Sequence, residues 1–260
     1  MLTGEHLNNS IFMMSVGEGN ILRDYSEIIQ RLMAIDLPLI EIGRVHDYPI
    51  FQVRINSFSD SHQSVLITAG LHGDEPAGVE AALQFLERDN SSLLQNFSFD
   101  VIPCMNPYGY IHNTRENREG IDINRSFEDD NIQESNIIKS ALEHKHFSLA
   151  IDFHEDYDAN GFYLYEGNRD QQYLGPKLVK AVQHIGTIDS EEDPEDDSVQ
   201  ISEGVYKVQE SWGTQGLTPH LLFYHSPHVF IFETPTNWNI HNRVNLHLSL
   251  LDNVLQLIKS

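Results

Sequence analysis

The sequence predicts an α/β fold: one domain over residues 1–260, with a mixed, largely parallel twisted sheet flanked by helices. Three observations predict it. Short apolar runs of strand length alternate with helix-like segments along the chain. Several runs, Val65-Leu66-Ile67 and Val229-Phe230-Ile231-Phe232 among them, are apolar at every position, as in strands covered on both faces. No internal repeat and no linker rich in Gly, Ser or Pro divides the 260 residues.

The elements follow in order. Residues 24–35 carry helical periodicity through Ile28, Ile29, Leu32 and Met33. Residues 37–42 and 48–55 read as strands joined by a turn. The run 64–69 is a buried strand ending at Gly70, and a helix follows to about Arg88, with Asp74 placed to cap it and Pro76 suited to its first turn. Residues 97–105 form another buried strand, and 106–131 a long polar loop. Residues 132–143 suit a helix, 148–153 a strand, 161–165 a further strand and 172–185 a helix. The run 189–197 is almost wholly acidic and reads as a solvated loop. Residues 229–232 form a buried strand ending at Glu233, and 240–258 a long amphipathic helix that closes the fold.

Composition excludes some functions. The formal net charge of -23 argues against nucleic acid and against anionic membrane surfaces, both of which need a basic face. Cys104 is the one cysteine, so no internal disulfide forms, and its apolar surroundings fit a packed, inert thiol. The apolar patch Ile11-Phe12-Met13-Met14 is too short for a signal peptide, and no run approaches the roughly 18 residues of a membrane span. The expected location is the cytoplasm. Oligomeric state is not readable.

Three apolar runs end in a group capable of chemistry. His72 and Glu75 follow the first, in Leu71-His72-Gly73-Asp74-Glu75-Pro76. His154 ends the second and Glu233 the third. In open α/β sheets, sites form beyond the carboxyl ends of strands, so these residues are candidates to meet. Two imidazoles and a carboxylate suit zinc and leave a coordination position open. The polar loop adds Asn106-Pro107-Tyr108-Gly109 and then Arg115, Arg118, Asp122, Asn124 and Arg125, in a chain otherwise poor in cations. A solvated loop of arginines paired with Glu116, Glu119, Asp122 and Asp129 is the plainer reading of that stretch alone.

Taken together, these segments resemble the zinc carboxypeptidase family, the carboxypeptidase A-like metallopeptidases. The shared features are His-x-x-Glu, an Asn-Pro-x-Gly turn leading through an arginine to Gly-x-Asp-x-Asn-Arg, a later His, and a late strand-end Glu, in that order. The short gap from Glu75 to His154 fits the compact bacterial branch, related to the succinylglutamate desuccinylase/aspartoacylase group. The resemblance implies one Zn2+ per chain held by His72, Glu75 and His154, with Glu233 as general base. It implies that Asn124 and Arg125 hold the substrate's terminal carboxylate, and that Asp122 fixes a ligand histidine from behind. Arg115, with Arg118 as competitor, would polarise the scissile carbonyl. The tyrosine that assists the digestive enzymes has five candidates here: Tyr157, Tyr163, Tyr165, Tyr206 and Tyr224.

The activity implied is a metallocarboxypeptidase that hydrolyses an amide bond next to a free carboxylate, on a peptide or an acyl-amino acid. Two alternatives stand beside it. One is an aspartoacylase-like or succinylglutamate desuccinylase-like deacylase of N-acyl amino acids. The other is a non-catalytic carboxylate-binding protein on the same fold.

Overall fold

A computed structural model describes residues 22–60, 62–189 and 199–259. The apolar patch 11–14 and all but Asp189 of the acidic run lie outside the described residues. Helix α1 (Tyr25–Ala34) starts where the Asp24 side chain accepts from the Ser26 amide, and it buries Tyr25, Ile28 and Leu32 at helical spacing. Strands β1 (Leu39–Val45), β2 (Tyr48–Ile55), β3 (Gln63–Ala69), β4 (Phe97–Ile102), β5 (Leu149–Asp156), β6 (Tyr163–Asn168), β7 (Val199–Ser202), β8 (Val205–Lys207) and β9 (His228–Pro235) form one sheet in the order β1-β2-β4-β3-β5-β9-β6-β8-β7. The centre, β4-β3-β5-β9, is parallel; both flanks turn antiparallel. The parallel strands are the continuous apolar runs, because helices cover both their faces.

Those helices are α2 (Pro76–Glu87), α3 (Pro107–His112), α4 (Gln133–Leu142), α5 (Gly175–Val182), α6 (Leu217–Tyr224) and α7 (Ile240–Ile258). One face of the sheet packs against α1, α2, α5 and α7 through a core that includes Phe85, Phe153, Phe232 and Leu251. The other face packs against α4 and α6 through Leu66, Ala150, Ile138 and Leu221. The period-2 alternation of β5 thus sends Leu149, Ile151 and Phe153 to one face, and leaves Asp152 and His154 on the other. Each fully buried leucine contributes roughly 1.5–3 kcal/mol. Among the described residues, no helix is long and apolar enough to cross a membrane.

Four elements depart from the sequence expectation, the edge strands β7 and β8 and two helices. The polar loop contains α3, six residues long, whose N-cap Asn106 accepts from the Gly109 amide. Helix α6 was not expected: its sequence LTPHLLFY is apolar on all sides and so lacks a helical stripe.

His220 on α6 packs against Phe127, Tyr224 and His225. Burial, aided by His225 and Lys139, pushes its pKa down to about 4. The unfolded chain titrates near 6.5, so this stabilising contribution is intact above that pH and is lost as pH falls from 6.5 to 4. A His220→Leu variant should lose about 1–2 kcal/mol less than wild type across that window, the range allowing for partial solvent screening. Denaturant melts at pH 7 and pH 4.5 check this; equal losses in both proteins would contradict it.

Candidate metal centre and carboxylate site

The site is built at the carboxyl ends of β3, β5 and β9. The chain leaves β3 through Gly70 at φ +65° and turns straight into α2. Glu75, not Asp74, is the N-cap of α2, and no side-chain cap bond comes from it. Its carboxylate is taken up by the histidines instead. The orphan Ala77 amide of α2 is satisfied from another element, by Glu155 Oε1 at 2.6 Å.

Both imidazoles face Glu75 through Nδ1. His72 Nδ1 lies 2.6 Å from Glu75 Oε1, and His154 Nδ1 lies 2.9 Å from Oε2. Both are held from behind through Nε2, His72 by Asp122 at 3.2 Å and His154 by Asp152 at 2.9 Å. Nε2–H donation to an aspartate leaves the Nδ1 lone pair aimed inward. Two such lone pairs and a carboxylate, all buried, then meet with their ligand atoms within 4.8 Å of one another. That arrangement calls for positive charge among the donors, from protons on the rings or from a metal, and a borderline divalent ion fits a two-nitrogen, one-oxygen set. Among the described residues this is the only His/Cys/Asp/Glu cluster with metal-ligand spacing.

The electrostatics follow from the same contacts. Burial works against charge on His154, yet Asp152 and Glu75 raise its pKa well above the usual value. His72 is likewise raised, against its burial, by Glu75 and Asp122. Glu75 is held far below the carboxylate range by the two histidines, despite full burial. Glu233 behaves oppositely. Burial, with Glu75, Asp156 and Asp152 nearby, lifts its pKa well above 4.5, although His154 opposes the shift. Glu233 is the register partner of His154 across β5 and β9, so the strand pairing itself places a carboxylate beside the donor set.

The polar loop is folded onto this corner. A Cβ at Gly73 would stand 1.8 Å from the carbonyl carbon of Gly109, so the two backbones touch where Asn-Pro-Tyr-Gly begins α3. Asn106 also donates to the carbonyl of Glu116 at 3.2 Å, which pins the arginine segment. Asp122 is the hub. It accepts from His72, from the Arg115 Nε and Nη2 at 3.1 and 3.0 Å, and from the Asn124 amide at 2.8 Å. Arg115 Nη1 reaches to 3.2 Å from His72 Nδ1. Asn124 Oδ1 accepts from the Leu217 amide, which ties the loop to α6.

A cavity of about 970 Å³ opens over the site, lined by His72, Glu75, His154, Glu233, Arg115, Asn124 and Arg125. The structure thus brings together every candidate read from the sequence except Asp122, which sits behind His72, and Arg118. Arg118 is exposed and outside the cavity; it lies in the tight turn closed by Gly120 N–H to the Asn117 carbonyl. The substrate-binding role read for Arg118 is not supported by that position, which leaves Arg115 as the arginine beside the donor set. Of the five tyrosines, Tyr157, Tyr163 and Tyr165 line the cavity, while Tyr206 and Tyr224 do not.

Sequence reasoning missed Asp152. It is 1% exposed and also accepts from Thr68 Oγ1 at 2.7 Å. Its signal was present: an aspartate two residues before a strand histidine shares that histidine's face. It missed Glu155 and Arg243 as well, a partly buried ion pair between residues far apart in the chain.

Residues 61–186 match the family model of the succinylglutamate desuccinylase/aspartoacylase catalytic domain. No curated protein sequence matches the chain. Among solved structures, a candidate metallopeptidase of Shewanella amazonensis SB2B aligns at TM-score 0.76 and 20% identity, covering 90% of this chain and 91% of that one. A metallo-carboxypeptidase of Pseudomonas aeruginosa, solved with (2-guanidinoethylmercapto)succinic acid, aligns at TM-score 0.66 and 17% identity, covering 90% and 68%. The carboxypeptidase A of Helicoverpa armigera aligns at TM-score 0.64 and 17% identity, covering 92% and 72%. At these identities the likeness to solved structures is one of fold.

Proposed function

Since the chain is zinc carboxypeptidase-like in fold and related through residues 61–186 to the succinylglutamate desuccinylase/aspartoacylase family, we propose that it is a zinc metallocarboxypeptidase. The reaction is hydrolysis of an amide bond adjacent to a free carboxylate. The observation that carries it is the convergence, in one cavity, of the His72–Glu75–His154 donors, a carboxylate at Glu233 with no hydrogen bond among the described residues, and the Arg125 guanidinium.

His72, Glu75 and His154 would hold the ion, which when bound supplies Lewis-acid activation of a water and of the scissile carbonyl. Glu233 takes the proton of the attacking water and hands it to the leaving amine. Arg115 gives Nε and one Nη2 hydrogen to Asp122, and with the His72 Nδ1 lone pair on the ion its other three N–H groups are left for the carbonyl oxygen as charge builds on it. Arg125 bonds only the carbonyl of Asn124 among the described residues, so its planar fork remains for a carboxylate. Asn124 is fixed by Asp122 and by Leu217 and sets where that carboxylate lies.

Arg125→Ala should lower kcat/KM on free-acid peptides by roughly 10–100-fold, the worth of a charged hydrogen-bond pair, with little change on C-terminally amidated peptides. Equal losses on both would remove Arg125 as the clamp. A second reading, deacylation of N-acyl amino acids with the same residues, is favoured by the family match alone. Assaying N-acyl amino acids beside C-terminal peptides separates the two.

A further inference from the structure

We propose that Glu155 and Arg243 are a positioning pair that holds the Glu75 carboxylate against the two histidines, so that an arginine on the last helix sets the affinity of a metal site it does not ligate. The inference rests on the metal-dependent reading above and adds two residues to it. It follows from what fixes Glu75 in place and from the burial of the pair.

Glu75 is the N-cap of α2 but makes no side-chain cap bond, so its own helix does not fix where the carboxylate points. Glu155 fixes it from the neighbouring strand at two points. The Glu155 amide donates to Glu75 Oε2 at 3.1 Å, the oxygen that also lies 2.9 Å from His154 Nδ1. The Glu155 side chain accepts from the Ala77 amide through Oε1 at 2.6 Å, which ties the first turn of α2 to β5 and places an anion at the start of that helix. The main chain and side chain of one residue thus hold both the ligand carboxylate and the backbone that carries it. Glu155 follows His154 on β5, so the same contacts set the spacing between two of the three donors.

The other oxygen of Glu155 is held by Arg243, in the first turn of α7, whose Nη1 donates to Oε2. The Glu155 side chain is fully covered and that of Arg243 is 11% exposed. An ion pair covered to this degree often stabilises no more than an apolar pair of the same volume. Arg243 Nε is buried with no partner among the described residues, which adds to the cost. Stability gives little reason to keep two charges and an unpaired donor there; orienting a ligand does. Charge and position predict opposite signs for losing the guanidinium. By charge alone the donor set becomes more negative, and a divalent cation binds as tightly or more tightly. By position Glu75 is released from the histidines, and the cation binds more weakly.

Zinc affinity of the metal-stripped protein tests this, measured by competition with a chromophoric chelator at a temperature where every variant is folded by circular dichroism. Arg243→Met should bind zinc roughly 10–100-fold more weakly than wild type. Arg243→Lys keeps a cation for Glu155 and should come within about threefold of wild type. In a Glu155→Gln background Arg243→Met should cause no further loss, because the arginine acts through that carboxylate. Should Arg243→Met alone not fold, the double variant, which buries neither charge, takes its place against wild type with the same expected loss. Affinity equal to or tighter than wild type, no recovery with lysine, or a further loss in the Glu155→Gln background overturns the inference. With zinc saturating, Arg243→Met should keep the wild-type peptide KM; a rise of roughly tenfold would make Arg243 a substrate contact and overturn its positioning role. If no protein cuts any peptide, the hydrolytic reading fails and the zinc comparison still decides this inference. If peptides are cut and the variants bind zinc as wild type does, this inference fails and the hydrolytic reading stands.

Discussion

Glu233→Gln should lower kcat by about 10²–10⁴-fold, the span of general acid–base catalysis, while zinc binds as in wild type. That is roughly 3–5 kcal/mol of barrier at 1.36 kcal/mol per tenfold. The reason is positional. β9 pairs with β5 so that Glu233 lies beside His154, yet among the described residues no hydrogen bond to Glu233 gives it a structural duty. Its half-buried carboxylate lies near Glu75, Asp156 and Asp152, a costly place for charge. The amide should relieve that cost, so the melting temperature of the variant should be equal or higher, the pattern of a group kept for function against stability. Turnover within tenfold of wild type would remove Glu233 as the base. A lower melting temperature with lost zinc would make it a structural residue instead.

Gly73→Ala should cost about 3 kcal/mol or more, and zinc affinity should fall with it. The added methyl would sit 1.8 Å from the Gly109 carbonyl carbon and 2.2 Å from the Tyr110 amide nitrogen, all backbone and unable to rotate away. The corner and α3 must separate, and the corner carries His72 on one side of Gly73 and Glu75 on the other. For a chain of this size the melting temperature should drop by roughly 6–12 °C. Gly120→Ala is the contrast. Gly120 has φ +75° but open space around it, so the variant should lose only about 1–2 kcal/mol and keep its zinc. Calorimetry with zinc titration measures both; a Gly73→Ala protein with wild-type stability and zinc affinity would refute the packing account.

These expectations rest on features that were unevenly legible in the sequence. The central strands could be read because parallel strands covered on both faces carry unbroken apolar runs, as β3 does over Val65–Ile67 and β9 over Val229–Phe232. The strand-tip rule pointed to His72, His154 and Glu233 because a sheet aligns its carboxyl ends. Helix α6 could not be read, because apolar residues on every side erase the periodicity. Strands β7 and β8 are short, lie at the sheet's edge and follow a charge run. Asp152 was hidden inside an apolar strand, where its polarity looked incidental. The Glu155–Arg243 pair spans 88 residues and has no local signature. Arg115 was preferred to Arg118 only through the resemblance, since it is the turn through Gly120 that decides which of them meets the cavity.

The most direct test of the central claim is a zinc titration of metal-stripped protein, read simultaneously as bound metal and as residue released from one peptide in free-acid and amidated forms. One zinc per chain is expected, with release of the terminal residue that rises with zinc and levels off at one equivalent, and release from the free acid only. One zinc bound with no release from either peptide, or release that continues in the stripped protein, would contradict it.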